Sequence, residues 1–221
     1  MPFAPPSRSL PALVAAAVAL FALLTWQVAT DGPLIGVDER VGRDLVERGW
    51  LAELFADLGG VAVAVPVLVV VAVGTAWWGR ARGGARWWVP GAVAVAVMAL
   101  VPVVVVPLKE LIDRGGTAVT PGSGFYPSGH TATAAVGYGC AALLVLPWVR
   151  TARGRRVLVG GCVLLNLGVG AGLVRQGYHW PLDVVGSWCL AVVMLAAFTG
   201  LVSRSSRRTS AGTPSPRSGP S

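Results

Sequence analysis

Val89–Leu108 reads VPGAVAVAVMALVPVVVVPL, twenty residues without one charged or amide side chain. At ~1.5 Å per helical residue such a run covers about 30 Å, the hydrocarbon thickness of a bilayer. An unpaired backbone in lipid is so costly that a helix is the only single-segment solution, even for a Val-rich stretch. Five further stretches have the same character: Leu10–Ala29, Val61–Trp78, His130–Trp148, Val157–Val174 and Val184–Val202. The expected fold is therefore all-α, a polytopic membrane bundle of six transmembrane helices spanning residues 10–202. Pro66, Pro90, Pro102 and Pro107 are expected to bend spans two and three.

Composition agrees. Of 221 residues, 54% are hydrophobic and 13% charged, about half the charged fraction of a soluble domain. A water-soluble enzyme and a disordered chain are both excluded. The net charge of +8 would suit nucleic acid, but its placement does not. With both termini and the even-numbered connections inside, the inner segments hold twelve basic residues and no acid. The outer segments hold six basic residues and all ten Asp and Glu. That asymmetry follows the positive-inside rule. It predicts a multi-pass protein of the cell membrane with cytoplasmic termini, whose basic excess meets anionic lipid rather than nucleic acid.

Residues 1–9 read as a cytoplasmic N-terminal segment. The first span reads as a retained anchor rather than a signal peptide, being long and without a clean small-x-small cleavage site. The tail, residues 203–221, is rich in Ser, Pro, Gly and Arg and is expected to be disordered. Cys140, Cys162 and Cys189 lie inside apolar runs with no CxxC spacing, as small buried hydrophobes. In the outer segment 31–60, Val41, Leu45, Trp50, Leu51, Leu54 and Phe55 share a helical stripe. It fits an amphipathic interfacial helix or a helix capping the bundle equally well.

The rare residues gather on one side. The chain has two histidines, His130 and His179, and one lysine, Lys109, against seventeen arginines. The arginine-derived topology, argued without them, puts all three at the outer ends of spans, where ionisable groups are functional candidates. Pro127-Ser128-Gly129-His130 opens a helix. Ser128 suits an N-cap, Gly129 lets a ligand approach the backbone, and the free N–H groups with the helix dipole form an anion cradle. A plain cap beside an interfacial polar residue explains the same tetrapeptide. Asp183 stands four residues after His179, within one helical turn. A carboxylate on one imidazole nitrogen fixes the tautomer and frees the other as nucleophile or base. The bland alternative makes Asp183 a helix-dipole partner and His179 an interface anchor. Lys109, Arg114 and Arg175 could neutralise phosphate, although Arg175 could snorkel and Arg114 could pair with Asp113 or Glu110. No acidic cluster accompanies them, so two-metal chemistry is not expected, and no cofactor is called for.

Together these residues resemble the type 2 phosphatidic acid phosphatase superfamily, which also contains vanadium haloperoxidases and glucose-6-phosphatase. Its second motif, Pro-Ser-Gly-His, stands intact at Pro127–His130. Its third ends in His, three residues, then Asp, matched by His179 and Asp183. Its first begins with Lys, matched by Lys109. The first motif continues to Arg-Pro seven and eight residues after the Lys, where this chain has Gly116 and Thr117. The third opens with Ser-Arg, where this chain has Gly172 and Leu173. Arg114 and Arg175 are the nearest arginines and are expected, on chemistry alone, to substitute.

The resemblance implies a metal-independent phosphatase acting at the outer face on a lipid phosphate or polyprenyl diphosphate. Lys109, Ser128, Gly129, Arg114 and Arg175 would hold the phosphate. His179, oriented by Asp183, would attack phosphorus, and His130 would protonate the leaving oxygen, giving a phosphohistidine that water hydrolyses. Phosphatidic acid and phosphatidylglycerol phosphate are further candidate substrates. Two other readings stand beside it. One is a non-catalytic lipid-binding or transport protein with a degenerate site. The other is an intramembrane serine hydrolase using Ser128 and His179.

Overall fold

The computed structural model describes residues 9–210. Among the described residues eight α-helices run in chain order: α1 (Leu10–Ala29), α2 (Pro33–Leu45), α3 (Trp50–Leu58), α4 (Val61–Ala81), α5 (Val89–Ile112), α6 (Gly129–Val145), α7 (Ala152–Arg175) and α8 (Pro181–Ser210). A 3₁₀ turn, Leu146–Trp148, ends α6. Six of these are long and apolar enough to cross a membrane, and they coincide with the six expected spans. Pro66 sits inside α4, and Pro102 and Pro107 inside α5, with the helices continuous through them. Pro90 instead lies in the first turn of α5, where a missing N–H costs nothing.

The expected N-terminal segment falls, except for Ser9, outside the described residues, as does residue 211 onward of the expected tail. The stretch 203–210, read as the start of a disordered tail, instead continues α8. A helix already anchored by its apolar part propagates at low cost into its flank.

The central element is α6. Of its span 67% is buried, against 17% to 39% for the other five. It touches α4, α5, α7 and α8. Its sequence explains this, since Gly, Ala, Thr and Cys dominate residues 129–142 and small side chains let helix backbones approach closely in lipid. Val136, Cys140 and Leu144 of α6 pack with Val97 and Val101 of α5, Leu68 of α4, and Phe198 and Val202 of α8. At the end carrying Arg80 and Arg82, Arg82 lies 5.3 Å over Trp78 and 4.8 Å over Trp148, a cation–aromatic belt of the kind found at membrane boundaries.

The segment 31–60 differs from the single stripe read in the sequence. It forms two helices, separated at residues 46–49, and five of the six apolar stripe residues face outward, while Phe55 is half-buried against Gly168 and Gly172 of α7. Val41, Leu45, Trp50, Leu51 and Leu54 are all exposed, whereas Asp38 and Gly42 of α2 and Ala52 and Ala56 of α3 are buried. The inversion has a physical cause. Small residues let α3 lie flat on α7, Gly42 of α2 lets Trp180 and Pro181 approach, Asp38 of α2 turns inward to Arg114, and the exposed apolar groups face the medium where lipid would lie.

Candidate active site

The chain turns sharply where α5 ends. Asp113 adopts a left-handed conformation (φ 48°), which short polar residues tolerate, and sends Arg114 inward. The loop that follows is tied to the start of α8: Trp180 Nε1 donates to Gly115 O at 3.1 Å, and Thr117 Oγ1 donates to Gly177 O. Tyr126 is fully buried between α1 and α8. Its hydroxyl pairs with Thr25 Oγ1 at 3.1 Å, and burial pushes its pKa up to about 12. These ties bring the α6 N-terminus beside the α8 N-terminus. Ser128 N donates to Asp183 O at 3.2 Å, and Ser187 Oγ donates to the carbonyls of Ser128 and Asp183, each at 2.8 Å.

Asp183 is completely buried. Its Oδ2 lies 3.2 Å from His179 Nδ1 and accepts the Trp180 N–H at 3.1 Å. An ionised carboxylate only accepts, so Nδ1 carries the proton, and in the neutral imidazole Nε2 is left bare. Phe125 packs edge-on against the imidazole at 5.6 Å between ring centres. His130 interacts electrostatically with His179 and Lys109, and Lys109 with Asp183. Lys109 Nζ donates to Gly124 O at 2.6 Å. Two imidazoles, one ammonium and one carboxylate, from α5, α6, the α7–α8 connection and α8, thus share one end of the bundle.

Ser128 caps α6: its Oγ accepts from Thr131 N at 3.3 Å and from Thr131 Oγ1 at 3.0 Å. The N–H groups of Gly129 and His130 have no intrahelical partner and face out of the helix end. This matches an anion cradle. It does not match the serine-hydrolase reading, which needs Ser128 Oγ on an imidazole.

The two expected substitute arginines are placed elsewhere. Arg114 is 7% exposed and spends its guanidinium on Asp183 and Asp38. Its partners are not Asp113 or Glu110, and its fork is not open to a phosphate. Arg175 is half-exposed and pairs with Glu47 on the surface. The packing also explains why the family positions are vacant of arginine. A Cβ on Gly116 would collide with the Thr120 carbonyl and the Phe125 ring, and one on Gly172 would fall 2.6 Å from the Ala52 carbonyl of α3. Leu173 is buried among Ala56, Ala64, Ala134, Tyr138 and Val169. Leu173→Arg is accordingly expected to lower the melting temperature, by about 3 kcal/mol or more of lost stability, without raising phosphate affinity. Thermal unfolding in detergent beside a KM measurement checks both halves.

Asp38 was not singled out from the sequence. It comes from α2, far away in the chain, and nothing local distinguishes it from Glu39 or Asp44. Burial raises its carboxyl above the usual range, while Arg114 and the Leu182 N–H pull it down.

The sequence profile of the PAP2 superfamily matches residues 90–207, more than half of the chain. The chain belongs to the PAP2 superfamily. Its fold is also that of a solved structure titled the first transmembrane PAP2 type phosphatidylglycerolphosphate phosphatase from Bacillus subtilis. The TM-score is 0.73 at 22% identity, covering 85% of this chain and 94% of that one. No curated protein matches the chain in sequence. The profile takes in Lys109, Pro127–His130, His179 and Asp183 together. The PAP2 fold of this chain has a further feature. A cavity of about 640 Å³ lies between α4, α5 and α6, walled by Val65, Leu68, Val101 and Val105, with Lys109, Gly129 and His130 also lining it. Val61, Val69, Val95 and Val106 line it as well and are exposed on the outside of the bundle, so the cavity opens sideways.

Proposed function

We propose that this protein is a membrane phosphatase that hydrolyses a lipid phosphate or polyprenyl diphosphate at the extracytoplasmic face. The observation that carries the reading is the imidazole of His179, held through Nδ1 by buried Asp183 and in electrostatic contact with His130, which together with Lys109 lines an apolar cavity open to the side. Membership of the PAP2 superfamily supports a phosphatase. The positive-inside distribution supports the extracytoplasmic placement.

The reaction has two steps. Lys109 and the N–H groups at the α6 N-terminus hold the phosphate oxygens. The bare Nε2 of His179 forms a bond to phosphorus as the bond to the lipid oxygen breaks, and His130 donates its proton to that oxygen. Water then attacks the phosphohistidine, His130 takes a proton from it, and inorganic phosphate leaves with His179 restored. Positioning and charge stabilisation supply most of the rate.

Phosphate release from lipid monophosphates and diphosphates in detergent, without added metal, tests the reading, with His179→Ala run beside the wild type. A second reading has a specific observation in its favour. Gly116 and Leu173, packed against neighbours, occupy the two family arginine positions, so the fold could serve lipid binding without turnover. Wild-type protein that binds these lipids and releases no phosphate selects that reading.

The cavity supports a lipid rather than a soluble phosphate. Each buried methylene contributes ~0.8 kcal/mol, so blocking two of them raises KM about tenfold. Ala99→Trp places an indole at the exposed side of the cavity lining. KM for a long-chain lipid phosphate is expected to rise by about that factor, while a short-chain, water-soluble phosphate keeps its kinetics. An equal effect on both substrates would remove the cavity from the substrate path.

A further inference from the structure

Asp183 has two oxygens, and His179 occupies only one of them. The other, Oδ1, accepts Arg114 Nη1 at 2.5 Å. The second amino group of the same guanidinium, Nη2, donates to Asp38 Oδ2 at 2.5 Å. Asp38 Oδ1 in turn accepts the backbone N–H of Leu182 at 2.9 Å, in the first turn of α8. Trp180 covers the guanidinium face at 5.9 Å. Asp38 is 5% exposed, Arg114 7% and Asp183 0%. The circuit Leu182–Asp38–Arg114–Asp183–His179 therefore begins and ends at the N-terminus of α8 and passes through α2 and the α5–α6 loop.

We propose that Asp38 is a positioning residue for the phosphoryl transfer, acting through Arg114 on the orientation of Asp183 and so on the aim of His179 Nε2. The proposal rests on the phosphatase reading. A guanidinium held at one amino group can swing about its flexible stem, and one held at both by carboxylates cannot. Asp183 is then held on both oxygens, and its plane sets the plane of the imidazole. The charges have a second consequence. With both carboxylates ionised, Arg114, Asp38 and Asp183 together carry a net charge of minus one among buried side chains. When Nε2 bonds to phosphorus and Nδ1 keeps its proton, the ring becomes cationic, and this residual negative charge stabilises it. An extracytoplasmic helix outside the six spans is thereby made part of the site.

The test is steady-state phosphate release from a lipid monophosphate by the purified full-length protein in detergent. Wild type, Asp38→Asn, Asp38→Glu and Arg114→Lys are compared, each with its melting temperature. Asp38→Asn keeps the shape and removes the charge. Its kcat is expected to fall roughly 10- to 100-fold, the cost of a small misalignment at a reacting centre, with KM within about twofold. Asp38→Glu restores most of the rate. Arg114→Lys, which keeps the charge and loses the fork, lowers kcat in the same way. Wild-type kcat in Asp38→Asn overturns the proposal. So does a loss that appears mainly in KM, which would make Arg114 a phosphate ligand. A kcat loss that only follows a loss of folded protein overturns it too, and leaves the triad a structural cross-link. Wild-type protein without phosphate release is a different outcome, because that failure belongs to the phosphatase reading itself.

Discussion

His179→Ala is expected to reduce phosphate release about 10⁴-fold or more, because in the proposed mechanism it removes the atom that bonds to phosphorus while binding and charge stabilisation remain. The fold should survive the change. Asp183 keeps the Trp180 N–H and Arg114 Nη1 after the imidazole is gone, so no buried charge is orphaned. The loss of one hydrogen bond costs roughly 1 kcal/mol. The ring contact with Phe125 is also lost. Phosphate release measured beside thermal unfolding in detergent separates the two effects. Activity within tenfold of wild type would exclude His179 as the nucleophile, whatever the melting temperature.

Asp183→Asn should lower kcat by roughly 10³- to 10⁴-fold, the scale seen when an imidazole is held in the wrong tautomer. The amide can turn its N–H₂ toward His179 Nδ1. That nitrogen then becomes an acceptor, the ring proton moves to Nε2, and the nucleophile is blocked. Stability falls as well, since Arg114 loses one of two buried anionic partners. Breaking a buried pair typically costs about 3–5 kcal/mol, and Asp38, still 2.5 Å from Nη2, holds the loss toward the lower end. KM is expected to change little. A variant with wild-type kcat would show that Asp183 does not set the imidazole, and the tautomer argument would fall with it.

Much of this architecture is legible in the chain before any coordinates. The six spans follow from length and hydropathy alone, because lipid leaves the backbone no alternative to a helix. The pairing of His179 with Asp183 is a spacing of four residues at the start of a helix, a local fact that the structure reproduces at 3.2 Å. The Ser128 cap is equally local. The outer segment was less legible. Its apolar stripe is helical in period, but the break at residues 46–49 and the outward face of most of the stripe depend on what α2 and α3 pack against.

The arginines show where local reading ends. Arg114 and Arg175 stand near the family positions, and both carry the right charge for phosphate. In the folded chain one lies between two buried carboxylates and the other pairs with Glu47 at the surface. Proximity along the chain measures nothing about which partner, 76 or 128 residues away, reaches the guanidinium first.

By itself the sequence determined the membrane class, the number of spans, the cap at Ser128 and the imidazole–carboxylate pair, because each depends on hydropathy or on neighbours within one helical turn. Only the tertiary structure decided that Asp38 joins the site, that Arg114 serves Asp183, that small residues of α3 meet α7, and that an apolar cavity opens sideways next to His130. Those outcomes depend on how separate helices close over one another, and a buried charge takes whatever opposite charge that closure brings within reach.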